Sequence, residues 1–200
     1  MDAIKFGVVQ HPKEGQPVSG DAVFIHDGQN IDGGKRQVLV AVIDGLGTGE
    51  EAAEASSRAV DCIKQNLDRP LSTLISQAHQ ALHGTRGVVM TVMRVDLDAG
   101  RVSFMGVGNV GVRSRCAANA HPVSMNGIVG YRLPTLKEFS YNYTPGDLFV
   151  LFSDGISNYL SLDDREISLV DFRGEPQGLA ETIAAQYGRS QDDVTVVVVW

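Results

Sequence analysis

Seven short runs rich in valine and isoleucine recur along the chain, each bounded by turn-forming residues: Ile4 to Val9, Ala22 to Ile25, Val38 to Ile43, Val88 to Val95, Val102 to Val107, Leu148 to Phe152 and Val194 to Trp200. Runs of this length and composition read as buried strands. Gly28 to Gly34 separates the second run from the third, and Asp98-Ala99-Gly100 separates the fourth from the fifth, as hairpin connections do. Neighbouring strands are therefore expected to be antiparallel. A shorter strand is expected over Val112 to Cys116.

Helical periodicity appears in two places. From Glu50 to about Leu67, residues Ala52, Ala55, Ala59, Ile63 and Leu67 share one face, and Glu50, Glu51 and Glu54 occupy the N-terminal part, where carboxylates complement the helix dipole. From Pro70, residues Leu71, Leu74, Ile75, Ala78 and Leu82 share a face before Gly84 ends the helix. A weaker pattern spans Gln177 to Tyr187. The early helices stand together between groups of strands, which favours a layered α/β or α+β sandwich over a doubly wound parallel sheet. Ala117 to Pro134 and Ser161 to Pro176 are expected to be irregular.

A length of 200 residues suits a single domain spanning 1–200 with no added sensor or regulatory domain. Hydrophobic residues at 43% and charged residues at 20% are those of an ordinary folded protein. Lys and Arg number 17 against 24 Asp and Glu, a net charge of −7, the wrong sign for binding a nucleic-acid backbone. Cys62 and Cys116 form no metal-like pair and no disulfide framework, which suits a reducing compartment. The N-terminus has no basic region followed by an apolar one, and the C-terminal apolar run is only strand-sized. The expectation is a cytoplasmic protein, monomeric, with no membrane span and no nucleic-acid partner.

The chemistry is signalled by where acids stand relative to strands. The run Val38 to Ile43 leads directly into Asp44-Gly45, and Leu148 to Ser153 leads into Asp154-Gly155. Conversely, Asp21 opens the run Ala22 to Ile25, and Asp192-Asp193 opens the run Val194 to Trp200. In an antiparallel sheet the end of one strand lies beside the start of its neighbour, so these acids can converge on one edge. Clustered carboxylates repel unless neutralised, and hard divalent cations with oxygen ligands, Mg²⁺ or Mn²⁺, do this best. Gly45 would let its backbone approach an ion and offer a carbonyl. A single Asp-Gly pair is more often a turn than a site; the joint occurrence at four strand ends is the informative feature.

Other motifs lead elsewhere. Gly106 to Gly111 matches GxGxxG, but Val112 to Cys116 follows as a strand instead of a helix, so a glycine-rich hairpin is the expectation. His79 and His83 are spaced i, i+4 on the second helix, yet Gln80 stands where the zinc-protease motif requires Glu, and both read as ordinary helix-surface residues. Gly45 to Gly49 lacks the lysine of a phosphate-binding loop, and no GxSxG elbow occurs.

Ser19-Gly20-Asp21, Val42-Ile43-Asp44-Gly45-Leu46-Gly47-Thr48-Gly49, Phe152-Ser153-Asp154-Gly155 and Gln191-Asp192-Asp193-Val194-Thr195, in this order over nearly the whole chain, resemble the metal-dependent serine/threonine phosphatases of the protein phosphatase 2C superfamily. Within it the match is to the bacterial SpoIIE-like branch, and the small size is similar to that branch's stand-alone stressosome phosphatases. The resemblance implies an α+β fold, a four-layer α-β-β-α sandwich of two antiparallel sheets flanked by helices, with two Mn²⁺ or Mg²⁺ ions at one end. It implies that Asp44 bridges the metals, that Gly45 adds its carbonyl, that Asp154 and Asp192 complete the ligands, and that Asp21 binds directly or through water. Asp193 would support these ligands from outside. Gly87 to Thr91 and the turn Gly108-Asn109 match features that shape the floor of the site.

The implied activity is hydrolysis of phosphoserine and phosphothreonine by metal-activated water. By the same resemblance the substrates would be phosphorylated STAS-domain proteins of a stressosome, and the role negative feedback in a stress response. The alternative is a non-catalytic phosphoprotein-binding module on the same fold, against which the intact set of acids argues. A third reading is a hydrolase of small phosphate esters. Leu46 stands where many eukaryotic members have a histidine, and no phosphate-binding arginine is found near the N-terminus, so the donor of the leaving-group proton is unassigned.

Overall fold

The computed structural model describes residues 3–29, 35–163 and 167–200. In chain order the elements are β1 (Phe6–His11), β2 (Asp21–Gly28), β3 (Gln37–Gly45), α1 (Glu50–Lys64), α2 (Leu71–Ala81), β4 (Val88–Asp96), β5 (Arg101–Val107), β6 (Gly111–Arg115), β7 (Phe139–Asn142), β8 (Leu148–Phe152), a 3₁₀ turn (Leu169–Phe172), α3 (Pro176–Tyr187) and β9 (Val194–Val199). One sheet has the order β1-β9-β8-β6 and the other β2-β3-β4-β5-β7. Every pairing is antiparallel.

Strand periodicity explains why the apolar runs show no polar alternation. On β3, Val38, Val40 and Val42 enter the core between the two sheets, while Leu39, Ala41 and Ile43 enter the core beneath α1 and α2. On β9, Val197 and Val199 face the inter-sheet core, and Val196 and Val198 pack toward α3. Successive side chains point to opposite faces, so a strand covered on both sides must be apolar at every position. Three cores therefore separate four layers, as expected from the resemblance. Ile43 is fully buried; its replacement by Ala would cost about 2–5 kcal/mol.

The helices follow their sequence signals. Glu50 and Glu51 occupy the first turn of α1, Pro70 immediately precedes α2, and Pro176 opens α3. The hairpin between β4 and β5 turns at Asp98 to Gly100, where the Asp96 carboxylate accepts the N–H groups of Asp98 and Ala99. The expected connection at Gly28 to Gly34 lies between paired strands β2 and β3, but residues 30–34 fall outside the described residues.

One expectation needs correction. Gly106 to Gly111 is not a hairpin: β5 lies in the five-stranded sheet and β6 in the four-stranded one, so the segment crosses between layers. One strand, β7, has no counterpart among the expected runs; its sequence Phe-Ser-Tyr-Asn is partly polar and half-exposed as the outermost strand of its sheet. An edge strand with one open side carries little of the apolar signal that marks central strands. The 3₁₀ turn likewise falls within a segment expected to be irregular.

Candidate metal centre

Strand parity delivers the acids to one place. Asp44 continues the series Val38, Val40, Val42 that faces the inter-sheet core, and Asp21 precedes Val23 and Ile25 on the same side of β2. Asp21 and Asp44 are direct partners in the β2–β3 register. Opposite them, the inward series of β8 leads to Ser153, and that of β9 leads back to Thr195 and Asp193. The two strand ends are laced together: Ser153 N–H donates to the Thr195 carbonyl at 3.1 Å, and Thr195 N–H to Ser153 Oγ at 3.0 Å. The inter-sheet core thus ends in a polar layer contributed by both sheets.

The electrostatics of this layer are those of crowded carboxylates. Burial pushes Asp44 up to about 8, with further upward contributions from Asp21, Asp154, Asp192 and Asp193. Burial also pushes Asp21 up to about 7, against the opposing effect of the Thr195 and Ser153 hydroxyls. Asp154 is raised by burial and by Asp192, while its hydrogen bond from Asn109 and the charge of Arg189 act the other way. Asp44 is the group that feels all four other acids, which makes it the centre of the cluster.

Neutral side chains and backbone hold the acids in place. Asn109 Nδ2 donates to Asp154 Oδ2 at 2.7 Å. Asp193 is buried and accepts two backbone N–H groups, from Lys13 at 2.7 Å and from Gly20 at 2.8 Å, clamping the β1–β2 connection against β9. Asp192 Oδ1 accepts the N–H of Asp193 at 2.9 Å. The glycines beside the acids answer to packing. A Cβ on Gly155 would lie 2.0 Å from the Asp193 carbonyl oxygen. On Gly45 it would lie 2.2 Å from the carbonyl oxygen of Ala52, so α1 and the strand end demand glycine there, a different reason from room for an ion.

A cleft of about 700 Å³ opens over this layer. Asp44, Asp154 and Asp192 line it, together with Lys13, Thr48, Asn109, Ser124, Gln191 and the segment Asn126 to Ile128. Asp21 and Asp193 do not line it; Asp21 is 4% exposed and lies behind Asp44. The cluster is thus partly a buried feature instead of a purely surface one. Gly108 and Asn109 line the cleft, as the floor motif suggested, and Leu46 forms part of its rim. Lys13 and Ser124 carried no motif, while Gln191 opens the Gln191 to Thr195 motif. Lys13 is brought to the cleft by the Asp193 clamp, a contact between residues 180 positions apart that local pattern cannot reveal.

The donor set fits hard divalent cations. It is all oxygen, it is negatively charged, and Asp21 Oδ2 is buried with no hydrogen-bond partner. A buried carboxylate oxygen without a partner is costly unless a proton or a cation satisfies it. Among the described residues no three His, Cys, Asp or Glu side chains already close around one point.

Comparison with known proteins follows the same lines. The family model for Stage II sporulation protein E (SpoIIE) matches residues 34–200. Phosphoserine phosphatase RsbX of Bacillus subtilis is 24% identical over 152 residues, 75% of this chain and 73% of RsbX. A solved chain described with the bacterial stressosome, "a modular system that has been adapted to control secondary messenger signaling", superposes with a TM-score of 0.89 at 31% identity, covering 100% of both chains. RsbX solved in complex with magnesium superposes with a TM-score of 0.81 at 22% identity, covering 100% of this chain and 96% of RsbX.

Proposed function

Because the chain belongs to the SpoIIE family of protein phosphatase 2C-type serine/threonine phosphatases, we propose that its cleft hydrolyses phosphoserine and phosphothreonine on signalling proteins, with divalent cations held by the acids at the end of the inter-sheet core. The observation that carries this reading is the convergence of four aspartates from both sheets, Asp21, Asp154, Asp192 and Asp193, on a fifth, Asp44. Two Mn²⁺ or Mg²⁺ ions would be held by Asp44, Asp154 and Asp192, by the Gly45 carbonyl, and by Asp21 directly or through water. Asp193 supports this set by fixing the backbone at residues 13 and 20.

Divalent cations in such a site neutralise phosphate oxygens and acidify water toward neutral pH. The chain's own residues do the rest. Asn109 holds Asp154 through its Oδ2 and so orients the carboxylate in the cleft. Among the described residues that line the cleft, Lys13 is the cationic side chain, suited to accompany the phosphate dianion. Leu46 at the rim has no ionisable group, so no side chain there delivers a proton to the leaving serine oxygen.

The likeness to RsbX and to a stressosome-associated structure supports phosphorylated STAS-domain proteins as substrates and negative feedback in a stress response as the role. We further propose one phosphatase domain over 1–200, acting as a monomer in the cytoplasm; among the described residues no helix is long and apolar enough to cross a membrane. A non-catalytic phosphoprotein-binding role is disfavoured because no position in the acid set has decayed. The test is phosphate release from a phosphoserine peptide and from p-nitrophenyl phosphate with Mn²⁺, Mg²⁺ or EDTA. Metal-dependent release supports the reading; a folded protein that releases none under either metal overturns it.

A further inference from the structure

We propose that His79 is a positioning residue for the phosphatase site, holding the turn 129–132 that follows the cleft-lining residues 126–128 through a hydrogen bond from the Gly130 backbone to its imidazole. The inference rests on the phosphatase reading above for its kinetic arm alone.

His79 lies in the last turn of α2, beside the apolar face of Leu71, Leu74, Ile75 and Ala78 that fixes the helix to the core. Its Nδ1 accepts the N–H of Gly130 at 2.9 Å. A backbone N–H can only donate, so Nδ1 must carry its lone pair and the ring must be the Nε2–H tautomer. The His83 ring sits edge-on to it, with centroids 4.8 Å apart, and together with burial lowers the pKa of His79, favouring the neutral ring that this bond requires.

The bond reaches a segment that faces the active cleft. Residues 126–128 line the cleft, and the chain then turns tightly, with Arg132 N–H donating to the Ile128 carbonyl at 2.8 Å and Ile128 N–H to the Arg132 carbonyl at 2.9 Å. Val129 pairs with Val88 in both directions at 2.9 Å, which ties one side of the turn to β4. Gly130, with φ 98°, is the point where the turn meets α2: a Cβ there would lie 2.8 Å from Leu82 Cβ. Tyr131, at the tip, is 80% exposed. The imidazole is thus a hydrogen-bonding tether between α2 and this segment, added to the apolar packing of Val129 in the core beneath α2. Without it a substrate that leans on the segment loses a fixed surface, whereas a small ester that touches chiefly the acids does not.

Wild type, His79→Leu, His79→Asn and His83→Leu are compared with Mn²⁺ on a phosphoserine peptide and on p-nitrophenyl phosphate. Nitrogen NMR of the imidazoles and amide exchange at Gly130 are recorded on the same proteins. The expected result is an unprotonated Nδ1 on His79 and a KM for the peptide raised about fivefold in His79→Leu, the effect of one ordinary hydrogen bond. In the same variant kcat and the KM for p-nitrophenyl phosphate stay within about twofold and Gly130 exchanges faster. His79→Asn, whose Oδ1 replaces the acceptor, restores both readouts, and His83→Leu leaves them unchanged. A peptide KM unmoved in His79→Leu, or an Asn variant no better than Leu, overturns the proposal. Should His79→Leu fail to fold, the Asn variant and the wild-type tautomer decide. If wild type turns over neither substrate, the phosphatase reading fails; a protonated Nδ1 or an unprotected Gly130 amide then overturns the tether separately.

Discussion

Asp21 and Asp44 stand directly opposite each other across β2 and β3, two carboxylates in one rung of a sheet at the mouth of a hydrophobic core. Like charges directly opposite in a sheet are destabilising. Both groups are held far above the ordinary carboxylate range, Asp44 at about 8 and Asp21 at about 7, burial being the first cause in each case. An acid whose folded pKa is raised binds a proton more tightly when folded. Stability of the metal-free protein is therefore greatest below about pH 4, where both states are protonated, as far as these two groups are concerned. It falls as pH rises from about 4 to 8, where the unfolded chain has released protons that the fold retains. Urea denaturation of EDTA-treated protein at pH 5, 6, 7 and 8 should give a decreasing free energy of unfolding, by a few kcal/mol in all. A flat or rising profile would show that the pair is ionised at no cost.

Divalent metal should reverse that trend, since a cation replaces the protons as the neutralising charge. At a free Mn²⁺ concentration about 100 times its dissociation constant the gain is about 2.7 kcal/mol. For a chain of this size that corresponds to a rise in melting temperature of about 5–10 °C. The rise should be larger at pH 8 than at pH 5, where protons compete for the same oxygens. Thermal scans across a Mn²⁺ series at both pH values check this, and equal shifts at both would argue against binding at the acid cluster.

Asp44→Asn separates stability from function. It removes the charge that feels four other acids, so the metal-free variant should melt higher than wild type at pH 8 while its phosphatase activity falls at least about 100-fold. Asp154→Asn and Asp192→Asn should also lose activity with the fold intact, as both side chains line the cleft. Circular dichroism melts beside phosphate release measure both quantities. Near-normal turnover in Asp44→Asn at saturating Mn²⁺ would remove it from the metal centre.

Asn109→Ala tests the outer support of Asp154. Its amide makes the 2.7 Å bond to Asp154 Oδ2, and loss of such an orienting partner costs about 10–100-fold in metal affinity or activity. Asn109 is exposed, so the melting temperature without metal should change little. Calorimetric titration with Mn²⁺ reads the affinity directly, and an unchanged value would reduce Asn109 to a surface contact.

The central strands were legible because burial on both faces leaves an uninterrupted apolar run, a local signal present in Val38 to Ile43 and Val194 to Val199 alike. The acids at their ends were legible for the same reason, since a charged residue that interrupts such a run marks where the core stops. Gly106 to Gly111 misled because a tight glycine-rich connection looks the same in sequence whether it joins neighbours in one sheet or crosses between two. The polar edge strand β7 offered no contrast with the loops around it.

By itself the sequence determined which segments become strands and that aspartates stand at four of their ends, because side-chain alternation and turn chemistry act between near neighbours. Only the tertiary structure decided that β1 pairs with β9 and that β8 and β9 lie in a different sheet from β2 and β3, so that acids from two sheets meet at Asp44. The raised pKa values, the clamp from Asp193 to Lys13 and the bond from Gly130 to His79 all depend on that assembly. Their physical origin is burial and proximity between residues distant in the chain, and neither exists until the layers have packed.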